Sequence, residues 1–554
     1  MIRQSTHRMA LILAVISVAE VRARAQPPRP ETSEPLFEGL GSRTRKVTTS
    51  SPDAQRYFDQ GLKFLYAFNH DEAIRSFRQA TTLDPSCAMA WWGIAMAHGP
   101  HINNPVVPEA RARAAWEAAR QARAHADSGT PVERALIEAV ATRYADPPPE
   151  DRTSLDRAFA EAMKGVWQAH PEDGDVGAFY AESLMDLRPW DLWTAEGTPQ
   201  PGTEVIVTTL ENVLGKDPEH PLAIHLYIHA VEASPDPGRA VEAADRLRDL
   251  TPGLPHLVHM PSHLDVRLGR WRAAEVANEK ATEADRRYRA VRPDQGFYRL
   301  YMLHNHHMLA FAALMRGESA RAIQAIDAMI AGVPADWARV NSAIADGVSA
   351  MPLEVRMRFG RWDEILKAPE PPEYFPIARA LRLAARGASL AALGRVDEAR
   401  AEEKKFEAAR ELVPETALVG NSPASTVLDV AGNLMAGEIL YRAGDEEGAF
   451  DKLREAVKAE DALHYDEPPD WILPVRHALG AALMQSGRYA EAEPIYRADL
   501  KKHPENGWAL FGLCRSLELQ GKDDQAAAVR ARFERAWADA DVKLSSSCFC
   551  QPGV

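Results

Sequence analysis

Apolar residues recur along most of this chain at steps of three and four, the spacing that places them on one face of an α-helix. The stretch AQRYFDQGLKFLYAFNHDEAIRSFRQATTLDP, residues 54–85, shows the arrangement in full. Small and aromatic residues mark two helix-length segments, Asn69 stands at the turn between them, and Asp84-Pro85 closes the second. Further along, a glycine ends each first segment: LGRWRAAE at Gly269, RGESARAI at Gly317, FGRWDEI at Gly360, LGRVDEA at Gly394, AGDEEGA at Gly444, SGRYAEA at Gly487 and QGKDDQA at Gly521. These glycines are spaced by 48, 43, 34, 50, 43 and 34 residues, so the array is irregular, with inserted loops or longer helices in four intervals. Between residues 98 and 219 the pattern weakens into Ala-rich helices such as RARAAWEAARQARAHA. Proline runs at 147–149 and 369–376 read as loops between helices.

A helix–turn–helix unit with a preferred period of 34 residues resembles the tetratricopeptide repeat (TPR), and the likeness covers most of residues 51–540. It implies an all-α fold, a TPR-like α-solenoid whose helix pairs stack into a superhelix with the first helix of each pair on the concave face. Such a likeness implies a fold and not a function. More narrowly, YIHAVEASPDPGRA, LVHMPSHLDVRLGR and YMLHNHHM together look like a group of exported bacterial TPR proteins marked by this histidine set. The chain then divides into residues 1–25 as leader, 26–50 as a linker or extended lead-in without packing of its own, and 51–220 as N-terminal repeats. Histidine-rich repeats follow at 221–335, C-terminal repeats at 336–540, and a disordered tail at 541–554.

Composition supports helices, with 46% hydrophobic residues and few runs of Val, Ile or Thr. A formal charge of −14 and the lack of basic runs with interleaved aromatics argue against nucleic acid, so partners are expected to be neutral, cationic or small. The start MIRQSTHRMALILAVISVAEVRARAQ has a basic beginning, an apolar run over 10–19 and Ala23-Arg24-Ala25 as an A-x-A site. It predicts a cleaved secretory leader and a periplasmic or secreted mature protein. The apolar run is about half the length a bilayer requires and no second such segment follows, so no membrane span is expected. Of four cysteines, Cys87 and Cys514 sit in apolar helical stretches and read as buried thiols, while Cys548 and Cys550 lie in the polar terminal SSSCFCQPGV.

The candidate chemistry lies in residues 221–307. One histidine pair is written twice, at His225/His229 and 34 residues later at His259/His263. On a helix, His225, His229 and Glu232 span an arc of roughly 60°, a polar stripe on an otherwise apolar segment. The glycine register makes the three histidine-bearing segments first helices, and in the third His304 and His307 share a face while His306 projects elsewhere. Eight of the 18 histidines fall between His225 and His307. The expectation is one metal site of His225, His229, His263, His304 and His307, with Glu232 and His259 as further ligands. Imidazoles with one carboxylate suit Cu, Zn or Fe and disfavour Ca and Mg. Pro261 either kinks a helix that begins at Pro255 or starts one, leaving His259 in a loop.

The HxxxH spacing invites comparison with zinc proteases, but Leu226 stands where their general base would be. Glu182 and Asp186 are candidate supporting carboxylates. Two clusters are expected to bind substrate: His98 and His101 in MAHGPHINNP, and His464, Tyr465, Asp466, Glu467 and Trp471 in HYDEPPDWILPVRH. For the second, the alternative is a loop capped by Asp470 with Trp471 in the core. No nucleotide loop, dinucleotide fingerprint, nucleophile elbow or haem-attachment motif is present. The sequence therefore supports an exported solenoid with a metal centre acting on a small molecule or extended peptide in its groove. A binding scaffold without catalysis is the alternative.

Overall fold

Each turn glycine named above takes a left-handed backbone in the computed structural model, which describes residues 34–551; φ runs from +63° at Gly360 to +87° at Gly444. A left-handed residue just past a helix satisfies its last carbonyls, and glycine reaches that conformation without a Cβ clash. First helices such as Pro376–Ala392 and Ala424–Arg442 therefore stop there, and second helices such as Val396–Arg410 and Glu446–Asp461 run back along them. The fold is an all-α, TPR-like solenoid. Strands among the described residues amount to one small hairpin, Leu418–Val419 with Ser422–Pro423. No helix among them is long and apolar enough to cross a membrane. Residues 1–25, expected to be a secretory leader, lie outside the described residues.

The superhelix closes on itself, which local repeat packing does not require. Trp508 Nε1 donates to the Leu314 carbonyl at 2.8 Å and Trp271 Nε1 to that of Pro504 at 2.8 Å, joining the C-terminal repeats to the middle of the chain. On the other side Arg292 pairs with Glu72 at 3.0 Å. One apolar core runs from Leu40 through Met302, so the histidine segments continue the packing of the N-terminal repeats.

Three expectations about ends and turns are corrected. The lead-in does pack: Leu40 and Val47 are buried, Phe37 meets Phe64 with ring centroids 5.2 Å apart, and Arg45 pairs with Asp173 and Asp175 at 2.8 and 2.7 Å. An extended segment without its own hydrogen-bond ladder borrows partners from neighbouring helices. The tail packs as well, with Phe549 5.6 Å from Trp508, Ser547 hydrogen-bonded to the carbonyl of His477, and Cys548 joined to Cys550. In the first repeat the left-handed residue is Phe68, φ +54°, rather than Asn69. Asn69 caps the helix His70–Leu83, its side chain accepting from Glu72 N at 3.3 Å.

The insert of residues 463–474 is irregular, and its helix begins at Val475 after Pro474, so Asp470 does not cap it. Trp471 is buried, and Ile472 N donates to Glu354 Oε2 at 3.0 Å. Burial pushes the Glu354 carboxyl up to about 8, against opposition from that donor. A carboxyl raised in the folded state adds stability that is full below the unfolded value near 4.5 and is lost as pH rises through about 8. Between pH 5 and 9, unfolding free energy should therefore fall more steeply in the native protein than in Glu354→Gln, by on the order of 1–3 kcal/mol. Urea titrations at a series of pH values test this, and parallel slopes for the two proteins would refute it.

Candidate metal centre

Three first helices bring the histidines together. The first, Pro221–Val231, starts with proline, where no backbone donor is needed, and is capped by His220, whose Nδ1 accepts from Ala223 N at 3.3 Å. Every residue of this helix is buried, because helices Pro52–Tyr66, Gly174–Met185 and Thr203–Lys216 and the next histidine helix pack around it. The second is a kinked pair, Pro255–His259 and Pro261–Arg267, joined through Met260, which keeps a right-handed helical backbone. Proline 261 lacks the N–H that would bond back to Leu257, and the axis bends there without leaving the helix. His259 is thus helical and not in a loop. The third helix is Arg299–Met315.

Six imidazoles meet in two trios, His225 with His229 and His256, and His259 with His263 and His304; within each, the ligating atoms lie within 4.8 Å of one another. The Nε2 atoms of His225 and His256 are 3.1 Å apart, those of His259 and His263 2.7 Å, and those of His259 and His304 3.0 Å. Between the trios lies Glu232, whose two oxygens accept from His229 Nδ1 at 2.7 Å and His263 Nδ1 at 2.5 Å. His304 is partly exposed and the other five are buried, so the site opens towards the His304 edge.

Their hydrogen bonds fix four of the rings. His225 Nδ1 faces the Tyr66 carbonyl at 2.8 Å, and His259 Nδ1 faces Asn278 Oδ1 at 2.8 Å, an oxygen identified by Asn278 Nδ2 donating to the Ala274 carbonyl. With the two bonds to Glu232, Nδ1 carries the proton on His225, His229, His259 and His263, and Nε2 is left as a lone pair. Burial lowers His225, His256, His259 and His304 well below the ordinary histidine range, so these rings are neutral. Burial alone would raise Glu232, but His263 and His229 hold it down at about 2. An ionised carboxylate therefore orients one ring of each trio. Two Nε2 lone pairs 2.7 Å apart repel each other unless they share a cation.

Aromatic residues wall the site. Phe68 packs 4.4 Å from His225, Trp190 5.4 Å from His229, and Tyr301 4.4 Å from His256. Phe68 and Trp190 are both left-handed, at φ +54° and +59°. A bulky residue in that region is strained, and such strain collects where a ligand site over-determines the backbone.

The other predicted residues divide. His256, absent from the sequence expectation, belongs to the first trio, although its three- and seven-residue offsets to His259 and His263 mark one helical face. His307 joins neither trio; it is buried, and burial lowers it to about 4. His306 is also outside. His98 and His101 are enclosed rather than open on a groove, with His101 4.3 Å from the Phe68 ring that also packs on His225. Glu182 is buried and Asp186 half-buried, with the Asp186 carboxylate enclosed beside Arg143, whose Nη2 reaches it at 2.5 Å, and neither residue joins the trios. Of the insert, Arg267 stacks on Tyr465 at 5.6 Å and donates to the Glu232 carbonyl at 2.9 Å, and Tyr465 donates to Glu467 at 3.2 Å. Burial lifts Glu467 to about 7. His464 is exposed and turned to the Asn421 carbonyl at 2.8 Å. Asp466 lies against Asp470, and burial raises it; Trp471 is in the core.

Residues 58–98 and 483–533 match models of the tetratricopeptide repeat. No curated protein matches the chain, and the narrower likeness to exported bacterial proteins gains no support. Among solved structures, Ypp1 is similar over 90% of this chain and 89% of its own at 9% identity, with a TM-score of 0.41. Human IFIT1 with m7Gppp-AAAA is similar over 89% and 92% at 12% identity, with a TM-score of 0.32. Yeast Tom70 is similar over 87% and 93% at 11% identity, with a TM-score of 0.28.

Proposed function

We propose that this chain is a solenoid built around a first-row transition-metal centre, which acts on or through a small molecule arriving at the His304 edge. One observation carries the reading: His259 and His263, whose Nδ1 atoms are committed to Asn278 and Glu232, hold their Nε2 atoms 2.7 Å apart, and His304 and the His225–His256 pair bring further Nε2 atoms together at 3.0 and 3.1 Å. That is the tautomer in which imidazole ligates metal, with outer hydrogen bonds orienting each ring. All-nitrogen donors suit Cu, Zn or Fe and disfavour Ca and Mg. Burial of five of the six rings argues against an extended peptide as the ligand of the histidines themselves. We also propose export, on the leader-like residues 1–25, so that the metal would be acquired outside the cytoplasm.

A scaffold without metal is favoured by the tetratricopeptide matches at residues 58–98 and 483–533. Metal analysis decides between them. After exposure to Cu, Zn and Fe and removal of loosely bound ions, the protein should retain at least one equivalent of one of them. A metal-free protein with intact helices that still captures peptides would favour the scaffold.

A further inference from the structure

We propose that the six histidines hold a pair of copper ions, one on His225, His229 and His256 and the other on His259, His263 and His304. The inference rests on the metal-centre reading and adds number and identity to it. Six rings exceed the three or four nitrogen ligands that a Cu or Zn ion takes at about 2.0–2.1 Å. They also fall into two all-histidine groups whose ligating atoms converge, and a third group, His229, Glu232 and His263, links the two through the carboxylate. Glu232 enforces the division. Its two oxygens hold the Nδ1 atoms of His229 and His263, one ring from each trio, so their Nε2 atoms point away from the shared carboxylate. His229 Nε2 is buried without a hydrogen-bond partner, as a ligand in the first trio would be before its ion binds.

Charge favours copper. Two divalent ions, with Glu232 as the carboxylate bonded to the rings, would bring about four positive charges against one negative into a buried site. Two Cu(I) ions bring about two against the same one, and imidazole suits copper, which tops the divalent affinity order once oxidised. An oxidised pair would require a small anion between the ions, and paired ions commonly sit about 3.5–4 Å apart around such a bridge. The ligand class that follows is a small anion such as hydroxide or azide.

The test offers the full chain Cu(I) in acetonitrile complex and, in a parallel sample, Zn(II), both anaerobically, desalts each and counts metal per chain by mass spectrometry, with circular dichroism to confirm the helices. Two copper ions are expected in the native protein, one in His225→Ala, one in His304→Ala, and none in the double variant. One ion in the native protein, lost in both single variants, would overturn the pair while leaving a metal centre. No retained metal of any kind would overturn both readings. Two zinc ions with no copper would keep the pair and overturn the assignment to copper. Should a variant fail to fold, the native count still decides between one ion and two.

Discussion

His263→Ala should lose metal at concentrations that saturate the native protein, whereas His307→Ala should keep the native content. His263 serves the site twice, through an Nε2 atom 2.7 Å from that of His259 and an Nδ1 atom donating to Glu232 at 2.5 Å. Its loss removes a ligand from the second trio and also half of what stabilises a buried, ionised carboxylate. Breaking a buried charge partnership destabilises by about 3–5 kcal/mol, so the metal-free variant should also melt earlier. Glu232→Gln is gentler, since the rings keep their Nε2 atoms and lose only their orienting partner. Changes of that kind weaken metal binding by about 10–100-fold. His307 lies on the same helix as His304 but in neither trio, which makes it the control. Metal titrations with circular dichroism on the four proteins would show it. Equal metal content in His263→Ala and His307→Ala would remove the basis for placing the centre here.

Trp508→Ala should be among the most damaging substitutions to stability, by about 3–5 kcal/mol. Its ring is fully buried, lies 3.9 Å under the Arg358 guanidinium, and packs within 5.1 Å of Trp537 and 5.6 Å of Phe549. Its Nε1–H donates to the Leu314 carbonyl, 194 residues away in sequence. Truncation would open a cavity at the place where the C-terminal repeats meet the middle of the chain. It would also leave Arg358, which is 1% exposed, with only His477 and the Ser547 carbonyl as polar partners. Trp91 is half-buried within a single repeat, and its alanine variant should lose about 1 kcal/mol or less. Urea unfolding followed by circular dichroism compares the two. Similar midpoints would mean that closure of the superhelix contributes little to stability.

The sequence by itself determined the parts that depend on local chemistry. Glycine is the residue that ends a helix in the left-handed region without strain, so Gly269 to Gly521 marked the turns in advance. Helical period placed His225 and His229 on one face, and proline geometry limited the second histidine helix to a kink or a start. Tertiary structure decided what depends on residues far apart in the chain. It chose His256 over His307, because which stretch of a helix faces a neighbour is set by how the superhelix closes, and no repeat period encodes that. It fixed the tautomers through Tyr66, Asn278 and Glu232, two of which come from other repeats than the rings they orient. It also drew the lead-in and the tail into the packing, since buried backbone and charged groups take whatever partners the closed fold brings within reach. Period and composition constrain each helix singly; convergence of six rings around Glu232 is a property of three helices at once, and only their packing sets it.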